Sequence, residues 1–211
     1  AIGLGASGIG NIPSFTAANS GSIPITANII VSPSGGGGEG SLIPEILFYK
    51  FDDTGAIVNN LASNPPVGTN TATLEGAMSI SESSLCTNAL SGTGVASTNN
   101  FVNSNWATNL SDSWTISFKT TGVISTTTTY YIFGDVNATA FRCFTGGVAG
   151  AGNWILRGGF SDVYLIGGAS MSNATSTFVY DALAGNIKAY LNGVLINTVA
   201  QSPFSITGPG P

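Results

Sequence analysis

The segment Thr177–Val199, TFVYDALAGNIKAYLNGVLINTV, predicts three short strands joined by two turns. Asn192 and Gly193 occupy the centre of the second turn, between alternating apolar residues. An Asn-Gly pair favours a two-residue type I′ turn, because both central positions need a positive φ and these residue types tolerate one. The segment therefore predicts a twisted antiparallel sheet and argues against an α/β enzyme fold.

The composition is that of a weakly charged β protein. Charged residues make up 7% of the 211 residues, hydrophobic residues make up 43%, and there are 29 glycines. Ordinary domains carry about a quarter charged residues, and disordered chains are poor in apolar ones, so disorder is not expected. Uncharged Ser, Thr and Asn are left to coat the outer faces of the sheets, which is typical of extracellular proteins.

Charge and hydropathy exclude two classes of partner. The net charge is −5 and only five residues are positive, without a basic stripe, so neither nucleic acid nor an anionic membrane surface is an expected partner. No apolar run approaches the roughly 20 residues that span a bilayer, so membrane insertion is not expected either.

The chain divides at a glycine-rich segment. Residues 1–33 hold two apolar stretches that cannot form a core alone, residues 34–41 contain four consecutive glycines and read as a linker, and residues 42–211 form the main domain. In that domain short apolar segments separated by turn residues predict an all-β antiparallel sandwich or jelly roll. The predicted strands are Ile46–Phe51, Thr71–Leu74, Trp114–Lys119, Tyr130–Phe133, Ala140–Phe144, Trp154–Leu156, Val163–Ile166 and the closing three-strand unit.

Several blocks, in order, resemble a known family. FVNSNWATNLSDSWTISF at 101–118, YYIFGD at 130–135, NWILRGG at 153–159 and TFVYDALAGNIKAYLNG at 177–193 resemble the laminin-G-like jelly roll of the concanavalin A-like lectin superfamily. The resemblance covers about residues 46–208, in the form found in large surface and secreted proteins of Bacteroidota-type bacteria. Residues 9–33 resemble the last strands of an Ig-like or PKD-like repeat. Relatives continue into further strands, so we expect the jelly roll to be incomplete at its C-terminal end.

The resemblance implies a non-enzymatic adhesion or carbohydrate-binding module of a larger protein that is secreted or attached to the outer membrane. Its expected partners are a glycan or a surface protein, together with neighbouring domains or copies of the same chain. The alternative is a structural spacer or filament subunit, in which strands of neighbouring chains complete the open sheets.

The acidic residues and the absence of histidine argue against catalysis. Without histidine, a Ser-His-Asp triad, a Cys-His pair and a histidine-metal site are excluded. Glycosidases of this superfamily carry closely placed carboxylates on one strand, whereas here only Asp52 and Asp53 are adjacent. Neighbouring residues on a strand point to opposite faces, so this pair does not form a catalytic dyad. No catalytic residue is predicted.

A glycan site needs aromatic faces and planar polar groups in a partly exposed cleft. The segment 153–164 combines such residue types, and we predict ligand binding by Trp154, Arg157, Asp162 and Tyr164, with Trp106 as a second possibility. The structural alternative is that Trp154 belongs to the core and Arg157 merely pairs with Asp162.

Calcium is the one cofactor that the sequence leaves open. Asp52 with Asp53, and separately Asp135 with Asn137, lie in turn-like segments and carry the oxygen ligands that calcium prefers. Asp and Asn also cap turns by bonding their own backbone, and this simpler role is favoured at both places.

The two cysteines, Cys86 and Cys143, lie 57 positions apart and do not form a metal or redox motif. In an exported chain they would form a disulfide, which loop-closure entropy makes worth about 4 kcal/mol. The alternative is a pair of buried thiols on separate strands.

Overall fold

The computed structural model describes residues 43–82, 87–92, 99–121, 129–134, 141–146, 151–158, 162–166 and 173–207. All of them belong to Leu42–Pro211, the second of two units into which the chain divides. The predicted repeat fragment at 1–33 and the linker at 34–41 lie outside the described residues. The described residues form fifteen strands, paired in antiparallel sheets, and include no helix long and apolar enough to cross a bilayer.

Sheet 1 contains the segment that predicts the fold. Its strands lie in the spatial order β14-β13-β12-β7. Their bounds are Trp114–Lys119 for β7, Thr175–Asp181 for β12, Asn186–Leu191 for β13 and Val194–Ala200 for β14. The three closing strands and the Trp114–Lys119 strand are therefore confirmed. Burial alternates along β12 and β13, so one face of sheet 1 is buried and the other faces outward.

The turn between β13 and β14 has the predicted two-residue form. Leu191 pairs with Val194, and the two residues between them have positive φ, 50° at Asn192 and 80° at Gly193. The Asn192 side chain also accepts a hydrogen bond from the Thr175 backbone at 2.9 Å, and its own backbone N–H donates to the Thr175 carbonyl at 2.8 Å. Asn192 thus fixes the turn and ties it to the start of β12.

Sheet 2 contains the predicted ligand-binding segment. Its strands lie in the spatial order β11-β10-β9-β8. Their bounds are Tyr130–Gly134 for β8, Arg142–Gly146 for β9, Ala151–Arg157 for β10 and Val163–Ile166 for β11. The predictions named these four strands, and the structure places β9 two residues later and extends β10 at both ends.

The two sheets pack face to face, which makes the domain a β-sandwich. Aromatic contacts join the layers: Trp114 lies 5.6 Å from Phe141 between ring centroids, and Phe118 meets Trp154 edge-on at 5.6 Å. Burying one large apolar side chain stabilises the fold by about 2 kcal/mol. The buried cluster comprises Leu110, Trp114, Phe141, Cys143, Trp154, Leu156, Val163, Ala174, Phe178, Tyr180, Ile187, Ala189, Leu191 and Ile206.

Seven short strands among the described residues lie outside the two main sheets. β6 (Asn109–Leu110) pairs with β15 (Ile206–Thr207) and adds Leu110 and Ile206 to the core. A three-stranded sheet is formed by β1 (Ile57–Asn59), β2 (Thr71–Leu74) and β5 (Val102–Asn103). The hairpin of β3 (Ser79–Glu82) and β4 (Asn88–Ser91) completes the described strands. Of these strands only Thr71–Leu74 was predicted.

The prediction of a strand at Ile46–Phe51 is wrong, because this segment does not pair with a neighbouring strand. Its described hydrogen bonds are one from the Leu61 backbone to the Phe48 carbonyl, at 2.9 Å, and those of the Asn60 side chain. The buried Asn60 amide accepts a hydrogen bond from the Phe48 backbone at 2.8 Å and donates to the Ile46 and Thr69 carbonyls, both at 2.9 Å. At the end of the segment, Phe51 has a φ of 57°, which no strand can contain. The apolar run therefore forms an extended loop around Asn60.

Cys143 is a free thiol with no exposed surface, in the middle of β9. Burial raises the pKa of this thiol well above its ordinary value, because the thiolate would lose its hydration in the core. The structure thus describes the reduced form of Cys143. Cys86 lies outside the described residues, and a disulfide between the two in an exported, oxidised protein stays a prediction.

The turn provides a test of the backbone requirement at Gly193. We expect Gly193→Ala to lower the free energy of unfolding by about 1 kcal/mol, because an L-residue pays that much for the left-handed region. Gly92→Ala is the matched control, since an added Cβ meets nothing within 4 Å at either position and only Gly193 has positive φ. Urea unfolding would measure both variants, and equal losses would contradict the turn assignment.

Candidate functional site

The pleat of β10 separates two residues that the sequence suggested as partners. Trp154 and Arg157 are three positions apart, and such residues lie on opposite faces of a strand. Trp154 is only 3% exposed and belongs to the core, where it contacts Phe118. Its ring is therefore not available to a surface ligand, and the site prediction is corrected at this position.

The register of sheet 2 gathers the other candidates on its outer face. On β10, Arg157 pairs with Arg142 of β9. Ile155 of β10 pairs with Phe144 of β9 on one side and with Tyr164 of β11 on the other. Directly paired residues share a face, and so do residues two apart on a strand. Phe144 in turn pairs with Tyr131 on β8. We call this surface the arginine face and define it by Tyr131, Arg142, Phe144, Arg157, Asp162 and Tyr164.

Arg157 and Asp162 form a bidentate ion pair on the arginine face. Arg157 Nε donates to one carboxylate oxygen of Asp162 at 2.7 Å, and Nη2 donates to the other at 2.6 Å. The hydrogen bond from Arg157 is the main reason that the pKa of Asp162 lies below its usual value, and a hydrogen bond from Tyr164 acts in the same direction. The same pairing raises the pKa of Arg157. The planar guanidinium is thereby held in one orientation.

Phe144 lies at the centre of the arginine face. The guanidinium carbon of Arg157 is 5.1 Å from the Phe144 ring centroid and that of Arg142 is 5.5 Å away, both within cation–π distance. The Tyr131 ring lies 5.7 Å from the Phe144 ring on the β8 side, and Tyr131 is 58% exposed. Flat groups of both kinds, aromatic and guanidinium, are thus assembled on one face of sheet 2. Tyr131 is exposed, Arg142 and Phe144 are half-buried, and Ile155 between Phe144 and Tyr164 is only 2% exposed.

Trp106, the second possible ligand contact, lies elsewhere. It is half-buried and packs against the core cluster, and its backbone N–H donates to the Ser104 hydroxyl at 3.3 Å. The structure therefore joins Arg157, Asp162 and Tyr164 as the sequence suggested and separates Trp106 from them.

In the described half of the calcium prediction, Asp53 is engaged in hydrogen bonds within the protein. The Asp53 carboxylate accepts hydrogen bonds from the Asn59 backbone, at 3.1 Å, and from the Asn59 side chain, so it ties the loop to the end of β1. Asp52 is exposed, and Asp135 and Asn137 lie outside the described residues. Among the described residues, no group of three or more His, Cys, Asp and Glu side chains could hold a metal ion. Calcium binding stays a prediction.

Three residues of the arginine face were not predicted: Tyr131, Arg142 and Phe144. A signal for two of them exists in FRCF at 141–144, since a buried Cys143 forces Arg142 and Phe144 onto the opposite face. Each face of the run carries one phenylalanine, so the position of Phe144 is not evident from hydrophobic alternation alone. Tyr131 depends on strand pairing across 13 residues (Tyr131↔Phe144), which local patterns do not encode.

Comparisons with known proteins include a distant structural similarity. No protein-family model matches the chain, and no curated protein matches it. The chain is similar in structure to a "putative carbohydrate binding protein" from Bacteroides ovatus, with 12% sequence identity and a TM-score of 0.39. The similarity covers 71% of this chain and 42% of that chain, so the chain spans less than half of its length. The assignment of a β-sandwich rests on the strands and core described above.

The ion pair predicts a pH dependence of stability. A carboxyl whose folded pKa is lowered stabilises the fold above its ordinary pKa of about 3.9 and loses this effect as the pH falls through the folded value. We expect Asp162→Asn to cost about 1 kcal/mol at pH 7, the scale for a partly exposed pair, and the difference from the unmodified protein to shrink below about pH 4.

Chemical denaturation between pH 2.5 and 8 would measure this difference. Asp112→Asn is the matched control, because Asp112 is exposed and forms no ion pair among those described. A pH-independent cost at Asp162, or an equal cost at Asp112, would contradict the role assigned to the ion pair.

Proposed function

We propose that the domain is a saccharide-binding module with a laminin-G-like sandwich, and that the arginine face binds the ligand. The observation that carries the proposal is the cluster of planar side chains around Phe144, in which Tyr131 and Arg157 reach the solvent. The Tyr131 ring and the Arg157 guanidinium are both accessible, since Tyr131 is 58% exposed and the Arg157 side chain is 40% exposed. Planar groups of this kind stack on the C–H faces of sugar rings.

The polar groups of the arginine face suit sugar hydroxyls. Arg157 carries five N–H donors and engages Asp162 through only two of its nitrogens, while the Asp162 oxygens and the Tyr164 hydroxyl supply acceptors. A sugar hydroxyl both donates and accepts, so neighbouring donors and acceptors on a rigid strand pair favour binding in one orientation. The rigidity comes from the ion pair, which limits the rotamers of Arg157 before a ligand arrives.

We expect one copy of the domain to bind its ligand weakly through this sheet surface. Adhesion would then arise from many copies on one surface, because a second binding event becomes intramolecular. The proposal therefore includes a secreted or cell-surface protein in which this domain is one of several, and it requires neither a catalytic residue nor a metal ion.

A tyrosine substitution tests the arginine face as a saccharide site. We expect Tyr131→Ala to weaken binding of the best ligand found on a glycan array by about tenfold, which corresponds to 1.4 kcal/mol of lost stacking. Isothermal titration calorimetry would measure the change. Tyr190→Ala is the matched control, because Tyr190 alternates with the buried Ala189 and Leu191 and so lies on the outer face of sheet 1.

Weakened binding in the Tyr190 variant alone would place the site on sheet 1 instead. Binding that survives both substitutions would remove the stacking argument, and a chain that binds no glycan on the array would remove the proposal itself.

The edge of sheet 1 supports a second candidate function, that of a structural subunit. β14 is the last strand of its sheet, and Val194, Leu195 and Ile196 on it are 41 to 63% exposed. Further along β14, the Asn197 side chain donates to the Tyr164 carbonyl of β11 at 3.0 Å, so the candidate edge is Val194–Ile196. An exposed apolar edge strand is a template for pairing with a strand of another chain. Such pairing would build a spacer or filament from copies of this chain.

A lysine on the edge tests this candidate. If β14 pairs between chains, sedimentation velocity should show concentration-dependent assembly, and Leu195→Lys should return the protein to monomers, because charge on an edge strand opposes pairing. Val67→Lys is the control, since Val67 is fully exposed but lies in a loop. A protein that stays monomeric at high concentration would exclude the candidate.

A further inference from the structure

Both arginines of the chain lie opposite each other on the arginine face. The chain has five positive residues in all. Its two arginines, Arg142 on β9 and Arg157 on β10, are directly paired across the two strands. Like charges placed directly opposite each other destabilise a sheet. In a chain of net charge −5, this concentration of positive charge is the least expected feature of the surface.

The carboxylate nearby neutralises only one of the two charges. Asp162 is bonded through both of its oxygens to Arg157. Arg142 forms no ion pair among the described residues, and its Nε atom is buried without a hydrogen-bond partner there. Its guanidinium lies over the Phe144 ring, which favours a cation but does not cancel its charge. The described residues of the arginine face therefore keep one positive charge.

The contacts of Arg157 and Arg142 assign them different roles. Arg157 is fixed by Asp162, so it presents a rigid flat surface. Arg142 has the same planar donors without a carboxylate to occupy them, and a guanidinium pairs best with a planar carboxylate, to which it donates two parallel hydrogen bonds. Among the described residues no carboxylate forms an ion pair with Arg142, so the carboxylate of a ligand would suit its free donors.

We propose that the ligand is an acidic saccharide, and that Arg142 binds the carboxylate of a uronic acid unit while Tyr131 and Phe144 contact the sugar ring. This inference rests on the proposed function, because it names the ligand class for the same surface. Glycan recognition and charge recognition then fall to different residues, so the two can be tested separately.

A matched pair of ligands isolates the charge. The probes are an oligogalacturonide and the same oligomer with its carboxyl groups converted to methyl esters, which keeps the ring and removes the charge. We expect the acid form to bind about tenfold more tightly than the ester at 50 mM salt, a difference of 1.4 kcal/mol. The preference should shrink at 500 mM salt, because the pair is partly exposed and salt screens it.

Two substitutions assign the preference to a residue. Arg142→Gln should abolish the difference between acid and ester, and its thermal midpoint should stay equal or rise, because a like-charge pair is removed. Lys119→Gln is the matched control, because it removes one positive charge from the outer face of sheet 1. Lys119 lies on that face because it is exposed and alternates along β7 with inward-facing residues, which include Trp114. This variant should keep the preference for the acid form.

Each outcome decides between the proposals. Equal binding of acid and ester by the unmodified protein overturns the acidic ligand and leaves the saccharide site standing. A preference that survives in Arg142→Gln overturns the role of Arg142. If neither oligomer binds and a glycan array shows no other ligand, the proposed function and this inference both fail.

Discussion

The edge-on contact between Phe118 and Trp154, and the contact of Trp114 with Phe141 beside it, join two sheets that share no backbone hydrogen bond in the described pairing. The inner face of each sheet is buried because the other sheet covers it. With 7% charged residues there is little electrostatic attraction to assist, so the hydrophobic effect between the layers carries the stability of the domain. Truncating a large buried aromatic such as Phe178 in a core of this kind costs about 3 to 5 kcal/mol, a large part of the stability of an ordinary domain.

The same packing determines what the outer surfaces can do. Alternation along β9 and β10 sends Cys143, Trp154 and Leu156 inward, which leaves Arg142, Phe144 and Arg157 facing out. The outer face can therefore carry a charge pair that would be intolerable inside, since burial of an unpaired guanidinium costs several kcal/mol. The strands beneath are held at a fixed spacing by the core. A surface built in this way is rigid before it meets a ligand, and rigidity lowers the entropy cost of binding.

Much of the fold could be predicted because its signals are local. The two residues Asn192 and Gly193 are enough to predict the turn, and the six residues of Trp114–Lys119 are enough to show the alternation of a strand. The run Ile46–Phe51 misled, because the residue that decides its conformation, Asn60, lies outside it and replaces a partner strand with a side-chain amide. In the candidate site, too, the residues that are close in the sequence could be predicted together and the distant ones could not. Arg157 and Asp162 are five residues apart and were predicted together, whereas Arg142 joins them only through the register of β9 with β10. Strict alternation would have removed Trp154 from the site without coordinates.

The buried thiol of Cys143 can be used to detect opening of the sandwich. Its side chain has no exposed surface and is paired in register with Leu156 and Phe133 on the neighbouring strands. A reagent reaches this sulfur only in those molecules whose layers have come apart, and the high pKa of the buried thiol keeps it unreactive in all others. The rate at which Cys143 is modified in native buffer therefore measures how often the sandwich opens. Mass spectrometry would determine this rate without an engineered label.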